Sequence, residues 1–163
     1  MTRSPILVIT TGGTIDKQYF DALSEYKIGE SVIEQLLATA RVTHPFRVVE
    51  LMRKDSLELT DADRDLIAAT IAAAPEKRIV ITHGTDTMTD TAKSLSHLDD
   101  RTIVLAGALA PARFKESDAS FNLGMAFACC QAAQPGVWIT MNGTVFDGLA
   151  VRKDRAAGSF VSI

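Results

Sequence analysis

The chain has 163 residues, 47% of them apolar and 23% charged, with a formal net charge of −3. That is enough chain to bury a proper core in one domain, with a composition ordinary for a globular protein. The balance of charge leaves no basic footprint for nucleic acid, and no apolar run is long enough to span a membrane.

The opening Met1-Thr2-Arg3-Ser4-Pro5 leads straight into a short apolar run. A secretory leader needs a longer apolar core and a small-residue cleavage site, so the cytoplasm is the expected compartment. Pro5 to Thr10, continuous in Ile, Leu and Val, reads as a strand covered on both faces. Thr11-Gly12-Gly13-Thr14-Ile15-Asp16 follows at its tip. Two glycines let the backbone turn tightly and approach a ligand, and the threonines supply hydroxyls. A plain Gly-Gly turn fits the same residues, and no Gly-Lys-Ser/Thr follows to make a phosphate loop. Asp16 to Lys27 is polar and aromatic without a clear period, a loop able to close over something through Tyr19, Phe20 and Tyr26. Ser31 to Ala40 has the spacing of a helix, with Val32, Ile33, Leu36 and Leu37 on one face.

Phe46 to Met52 is a second strand, and Arg53-Lys54-Asp55-Ser56-Leu57 its exit loop. Thr60-Asp61-Ala62-Asp63 is an N-terminal capping pattern for a helix with Leu66, Ile67 and Ile71 on its core face, ended by Pro75. Arg78 to Ile81 is a β-branched third strand, and Thr87 to Leu98 carries apolar residues at helical spacing. His83-Gly84-Thr85-Asp86 therefore lies where a strand tip turns into a helix. Thr85 and Asp86 fit an ordinary helix cap, and they equally fit a ligand site at the carboxyl edge of a sheet.

Thr102 to Ala106 is a fourth strand, followed by the tip loop Gly107-Ala108-Leu109-Ala110-Pro111. Asp118 or Ser120 can cap a helix running to about Ala133. Val137 to Met141 is a fifth strand, Asn142-Gly143 a turn, and Thr144 to Leu149 with Val151 a short ribbon, with Lys153 beyond it. The neighbouring Cys129 and Cys130 sit in a helical pattern without metal or redox spacing and read as packing residues. His44, His83 and His97 are scattered and suggest no metal site.

Strands alternating with helices imply an α/β fold, a doubly wound and mostly parallel sheet with helices on both faces. Thr14, Ser56, Thr85 and Asp86 then come from loops at one sheet edge. Two threonine hydroxyls, a serine, a carboxylate and a lysine suit a pocket for a free amino acid. A hydroxyl nucleophile there needs a base or nearby positive charge to activate it. Residue types alone reach no further.

Thr10-Thr11-Gly12-Gly13-Thr14-Ile15-Asp16 and the stretch Thr82 to Ala92 closely resemble the two signature segments of bacterial-type L-asparaginases. The resemblance runs along the whole chain through EYKIG, KDSLELT, GALAP, FNLG and MNGTVFDG, in that order. It implies the family's flavodoxin-like N-terminal domain and hydrolysis of L-asparagine to L-aspartate and ammonia, without metal or organic cofactor. Carried over by position, Thr14 is the nucleophile of an acyl-enzyme route, and Tyr26 on a mobile lid activates it. Thr85, Lys153 and Asp86 form a second group. Asp86 also takes the substrate's α-ammonium and Ser56 its α-carboxylate. Gly13, Asp55, Gly84 and Ala108 line the pocket, with backbone N–H groups near Gly13 and Thr85, or an ordered water, at the oxyanion. A solvated surface lysine competes for Lys153, since Arg152 and Arg155 lie close by, and Tyr19 competes with Tyr26.

Two departures from the family pattern stand out. Leu57 takes the place where many members carry a glutamine or serine, and a usual member continues into a second domain that supports its dimer. The expectation is a short, single-domain form spanning residues 1–163 that lacks this second domain and closes its crevice as a homodimer or higher homo-oligomer. The other readings are a non-catalytic amino-acid-binding module or subunit, and hydrolysis of another amide such as glutamine. Neither nucleic acid nor membrane is an expected partner.

Overall fold

The structure, a computed structural model, describes residues 3–163; Met1 and Thr2, where the leader reading begins, lie outside them. In chain order the strands are β1 (Ile6–Gly12), β2 (Lys17–Phe20), β3 (Glu25–Ile28), β4 (Phe46–Lys54), β5 (Arg78–Thr82), β6 (Thr102–Ala106), β7 (Gly136–Met141), β8 (Thr144–Asp147), β9 (Val151–Asp154) and β10 (Ser159–Ser162). The α-helices are α1 (Ile33–Thr39), α2 (Asp61–Ala73), α3 (Met88–Ser94) and α4 (Ala119–Ala132).

The central sheet has six strands in the order β4-β1-β5-β6-β7-β8, the first five parallel and β8 antiparallel to β7. Alternate residues of the parallel strands feed two separate cores, as the period of a pleated strand requires. Leu7, Ile9, Ile79, Ile81, Ile103 and Leu105 pack with Ile67 and Ile71 of α2 and Met88 and Ala92 of α3. Ile6, Val8, Val80 and Val104 pack on the opposite face with Ile33 and Leu37 of α1 and with Leu123, Ala126, Phe127 and Cys130 of α4. Those apolar runs are continuous because both faces of the sheet are covered. The doubly wound α/β expectation holds. Because β1 lies between β4 and β5, the strand order reverses at the β1–β5 pair, the switch point at which such sheets leave a crevice.

Several elements differ from the sequence reading. Asp16 to Lys27 is not a loop without order: β2 and β3 form an antiparallel hairpin in which Tyr19 pairs directly with Tyr26, ring centroids 5.3 Å apart. Cross-strand aromatic pairs stabilise such ribbons, and Ser24 makes the turn in the left-handed region at φ 49°. Arg53 and Lys54, expected in a loop, belong to β4, which stays paired through Gly12↔Lys54 beyond a register shift. The ribbon expected after Asn142-Gly143 is divided. β8 completes the central sheet, while β9 pairs with β10 in a separate hairpin that contains Lys153. Cys129 and Cys130 are buried free thiols, and burial pushes Cys130 up to about 12, so it packs as an apolar residue.

Candidate active site

The carboxyl ends of β4, β1, β5 and β6 deliver the loops around the switch point, and their backbones are in tight contact. Gly13 adopts φ 86°, and a Cβ there would collide with the backbone of Gly84. A Cβ on Gly84 would lie 2.7 Å from both Cβ and Oγ of Ser56. Glycine is required at both positions because three loops meet with no room for a side chain. Hydrogen bonds fix the arrangement: Gly13 N donates to Lys54 O (2.9 Å), Thr11 Oγ1 to Thr82 O (2.8 Å) and Thr87 Oγ1 to Ser56 O (2.7 Å).

Of the two candidate caps on α3, neither serves as one. The helix begins after Thr87 without a side-chain cap. Thr85 Oγ1 instead accepts from Lys153 Nζ at 2.7 Å, and Asp86 Oδ1 accepts from the same nitrogen at 2.9 Å. Thr85 is buried, and the Lys153 side chain is only 16% exposed. A surface lysine in water would not hold both contacts. The cation reaches its place because β9 packs beside α3, anchored by the buried Val151 and Phe160 and by Phe160 N donating to Asn142 Oδ1 at 2.8 Å. A second cation, Arg155, places its Nε 3.4 Å from Asp86 Oδ1.

Ser56 is buried beside Gly84, and Asp55 receives the N–H of Leu57 (3.0 Å) and pairs with Lys17 of the hairpin at 3.6 Å. Ala108 is buried in the β6 exit loop, where Leu109 N and Ala110 N donate to Asp118. Thr14 opens a short 3-10 turn behind Gly13 and is partly exposed. Tyr26, half exposed, packs its ring between Tyr19 and Phe114, the latter at 5.6 Å edge-on. Among the described residues, no hydrogen bond joins Tyr26 to Thr14. The structure thus brings Gly13, Gly84, Ser56, Thr85, Asp86 and Lys153 together, with Thr14 adjoining, and leaves Tyr26 on the hairpin above a cavity of about 390 Å³ lined also by Lys17, Arg53, Asp55 and Glu58.

Two buried ionisable groups support these loops. His83, fully buried, has Nδ1 2.6 Å from Gly84 O and Nε2 2.8 Å from Thr91 Oγ1. Burial holds it down at about 4, so the ring is neutral. Gly84 O can only accept, so the one proton of the neutral ring sits on Nδ1, and Nε2 accepts from the Thr91 hydroxyl, which itself accepts from Arg64 Nε (3.2 Å). Asp16 anchors the hairpin base, accepting from Ser31 Oγ (3.2 Å) and Val32 N (3.0 Å). Desolvation pushes its carboxyl up to about 6. Sequence reasoning gave no role to His83, Thr91 or Arg155. Arg155 lies in the turn after β9, where no strand or helix period marks it.

The family model described as "Asparaginase, N-terminal" matches residues 5–160. L-asparaginase 2 of Escherichia coli K12 is 32% identical over 159 residues, which cover 91% of this chain and 46% of that protein. A glutaminase-asparaginase of Acinetobacter glutaminasificans is 27% identical over 165 residues, 93% of this chain and 50% of its own length. The solved structure of the thermostable L-asparaginase from Thermococcus kodakarensis superposes with a TM-score of 0.85 at 28% identity, over 98% of this chain and 51% of that one. The chain spans about half the length of the relatives it matches.

Proposed function

The chain belongs to the asparaginase family, matching its N-terminal part, and from that premise we propose that it hydrolyses the side-chain amide of L-asparagine to L-aspartate and ammonia. The observation that carries the reading is the Lys153 ammonium on both Thr85 Oγ1 and Asp86 Oδ1. Binding alone does not require a lysine drawn onto a buried hydroxyl, whereas hydroxyl chemistry benefits from one, because adjacent positive charge favours the oxyanionic form.

In this reading Thr14 attacks the amide carbon. The bond from Oγ1 to carbon forms, the bond to nitrogen breaks, and the Thr14 proton leaves with ammonia by way of Tyr26 once the hairpin closes. Water then cleaves the Thr14 ester to release aspartate, with Thr85 and Lys153 on the opposite side of the reacting carbon. The N–H groups near Gly13 and Thr85 face the developing oxyanion. Ser56 takes the α-carboxylate and Asp86 the α-ammonium, with Gly84, Asp55 and Ala108 shaping the walls. In this reading the protein works in the cytoplasm as a homodimer or higher homo-oligomer, and the route needs no metal or organic cofactor.

Ammonia release from L-asparagine and L-glutamine by wild type and Thr14→Ala tests this. Turnover that collapses in the variant supports the reading; equal rates reject Thr14 as nucleophile, and no release in wild type rejects the hydrolase.

A further inference from the structure

The Asp86 carboxylate is approached by two cations on one oxygen, from inside by Lys153 at 2.9 Å and from the rim by Arg155 at 3.4 Å. Arg155 is held there by its own turn. Asp154 Oδ1 accepts from Ala156 N and Ala157 N at 3.1 Å each, fixing the chain just after β9, where Arg155 reaches Asp86. The inner cation is mostly buried and the outer one is 67% exposed, so only the outer one is free to move aside.

We propose that Arg155 sets the substrate class of this site by competing with a substrate ammonium for Asp86. The inference rests on the reading of Asp86 as the ammonium acceptor. The cluster already carries net positive charge, and an α-ammonium arriving at Asp86 must displace or share with the guanidinium. An amide of a dicarboxylic acid without the α-amino group meets no such competition. The site therefore accepts ω-amides of dicarboxylates broadly, with a weakened preference for those that carry an α-ammonium. Because an exposed ion pair is modest in strength, the effect is graded rather than all-or-none.

L-aspartate and succinate differ only in the α-ammonium and are not hydrolysed, so they probe the competition without turnover. Titration calorimetry of wild type, Arg155→Gln and Arg155→Lys with each acid gives the ratio of the two affinities. Arg155→Gln is expected to tighten L-aspartate by about two- to fivefold while succinate holds or weakens. Arg155→Lys, which keeps the charge, is expected to stay near wild type. Equal shifts for both acids, weaker L-aspartate binding in Arg155→Gln, or no saturable binding of either acid overturns the inference. Ammonia release is measured in parallel. Release with an unshifted ratio removes the role of Arg155 alone, and a shifted ratio without release removes the hydrolase reading alone.

Discussion

His83 and Thr91 meet in the interior behind the β5 exit loop, with the imidazole Nε2 2.8 Å from the threonine hydroxyl. The pair transmits a constraint from Arg64 on α2, through the hydroxyl and the ring, to the carbonyl of Gly84. Thr91→Val preserves shape and removes the hydroxyl, leaving buried nitrogens without a partner. A loss of about 1–3 kcal/mol in urea unfolding is expected. A loss below about 0.5 kcal/mol would mean that the hydroxyl contributes nothing beyond packing.

Acid titration separates two opposing groups. His83 is held below its ordinary value, at about 4, so its contribution is intact above about 6.5 and declines as pH falls towards 4. Asp16 is raised to about 6, so its carboxyl is best tolerated when protonated, and its burial costs stability as pH rises through that value. Between about pH 4 and 6.5 the two trends run in opposite directions. Asp16→Asn removes one of them, and its stability is expected to fall more steeply on acidification than that of wild type. A variant curve parallel to wild type from pH 7 to pH 4.5 would contradict the assignment to Asp16.

Two glycines make a paired comparison. Gly13→Ala forces a Cβ into Gly84 at a positive φ and is expected to cost about 2 kcal/mol or more and to abolish ammonia release. Gly124→Ala, inside α4 with nothing within 4 Å of the new methyl, is expected to raise stability by about 0.5–1 kcal/mol. Thermal unfolding of both variants checks the two signs together.

Lys153 and Thr85 are expected to behave as one unit. Lys153→Met and Thr85→Val each reduce ammonia release by about 100-fold or more, and the double variant falls little further than the worse single one. Multiplying losses in initial-rate assays would show two independent contributions.

The central sheet was legible because β1, β5 and β6 are written mainly in Ile, Val and Leu and α1 and α2 carry spaced apolar faces. The Thr60 capping box on α2 formed as its residues implied. The hairpins were not legible, for a physical reason. Lys17–Phe20 and Glu25–Ile28 stand clear of the core, so no alternation of apolar residues marks them, and their register depends on a tyrosine pair. Val151–Asp154 is charged along most of its length and becomes a strand only because Phe160, six residues further on, folds back into the core. The loops carrying Thr14, Ser56 and Thr85 were placed at one edge by the alternation of strands and helices alone, which implies a parallel sheet. The contact that unites Lys153 with Thr85 spans 68 residues and leaves no local periodicity to read.

The β9–β10 hairpin, a sheet of its own, comes last in the order in which these contacts are assembled. A ribosome makes the whole six-stranded sheet, including β8 at Thr144–Asp147, before it reaches the lysine at 153 and the Phe160 that anchors it. The scaffold is thus synthesised in full while Thr85 and Asp86 still lack their ammonium. Lys153 therefore comes to Thr85 and Asp86 only after the strands that carry their loops have been made.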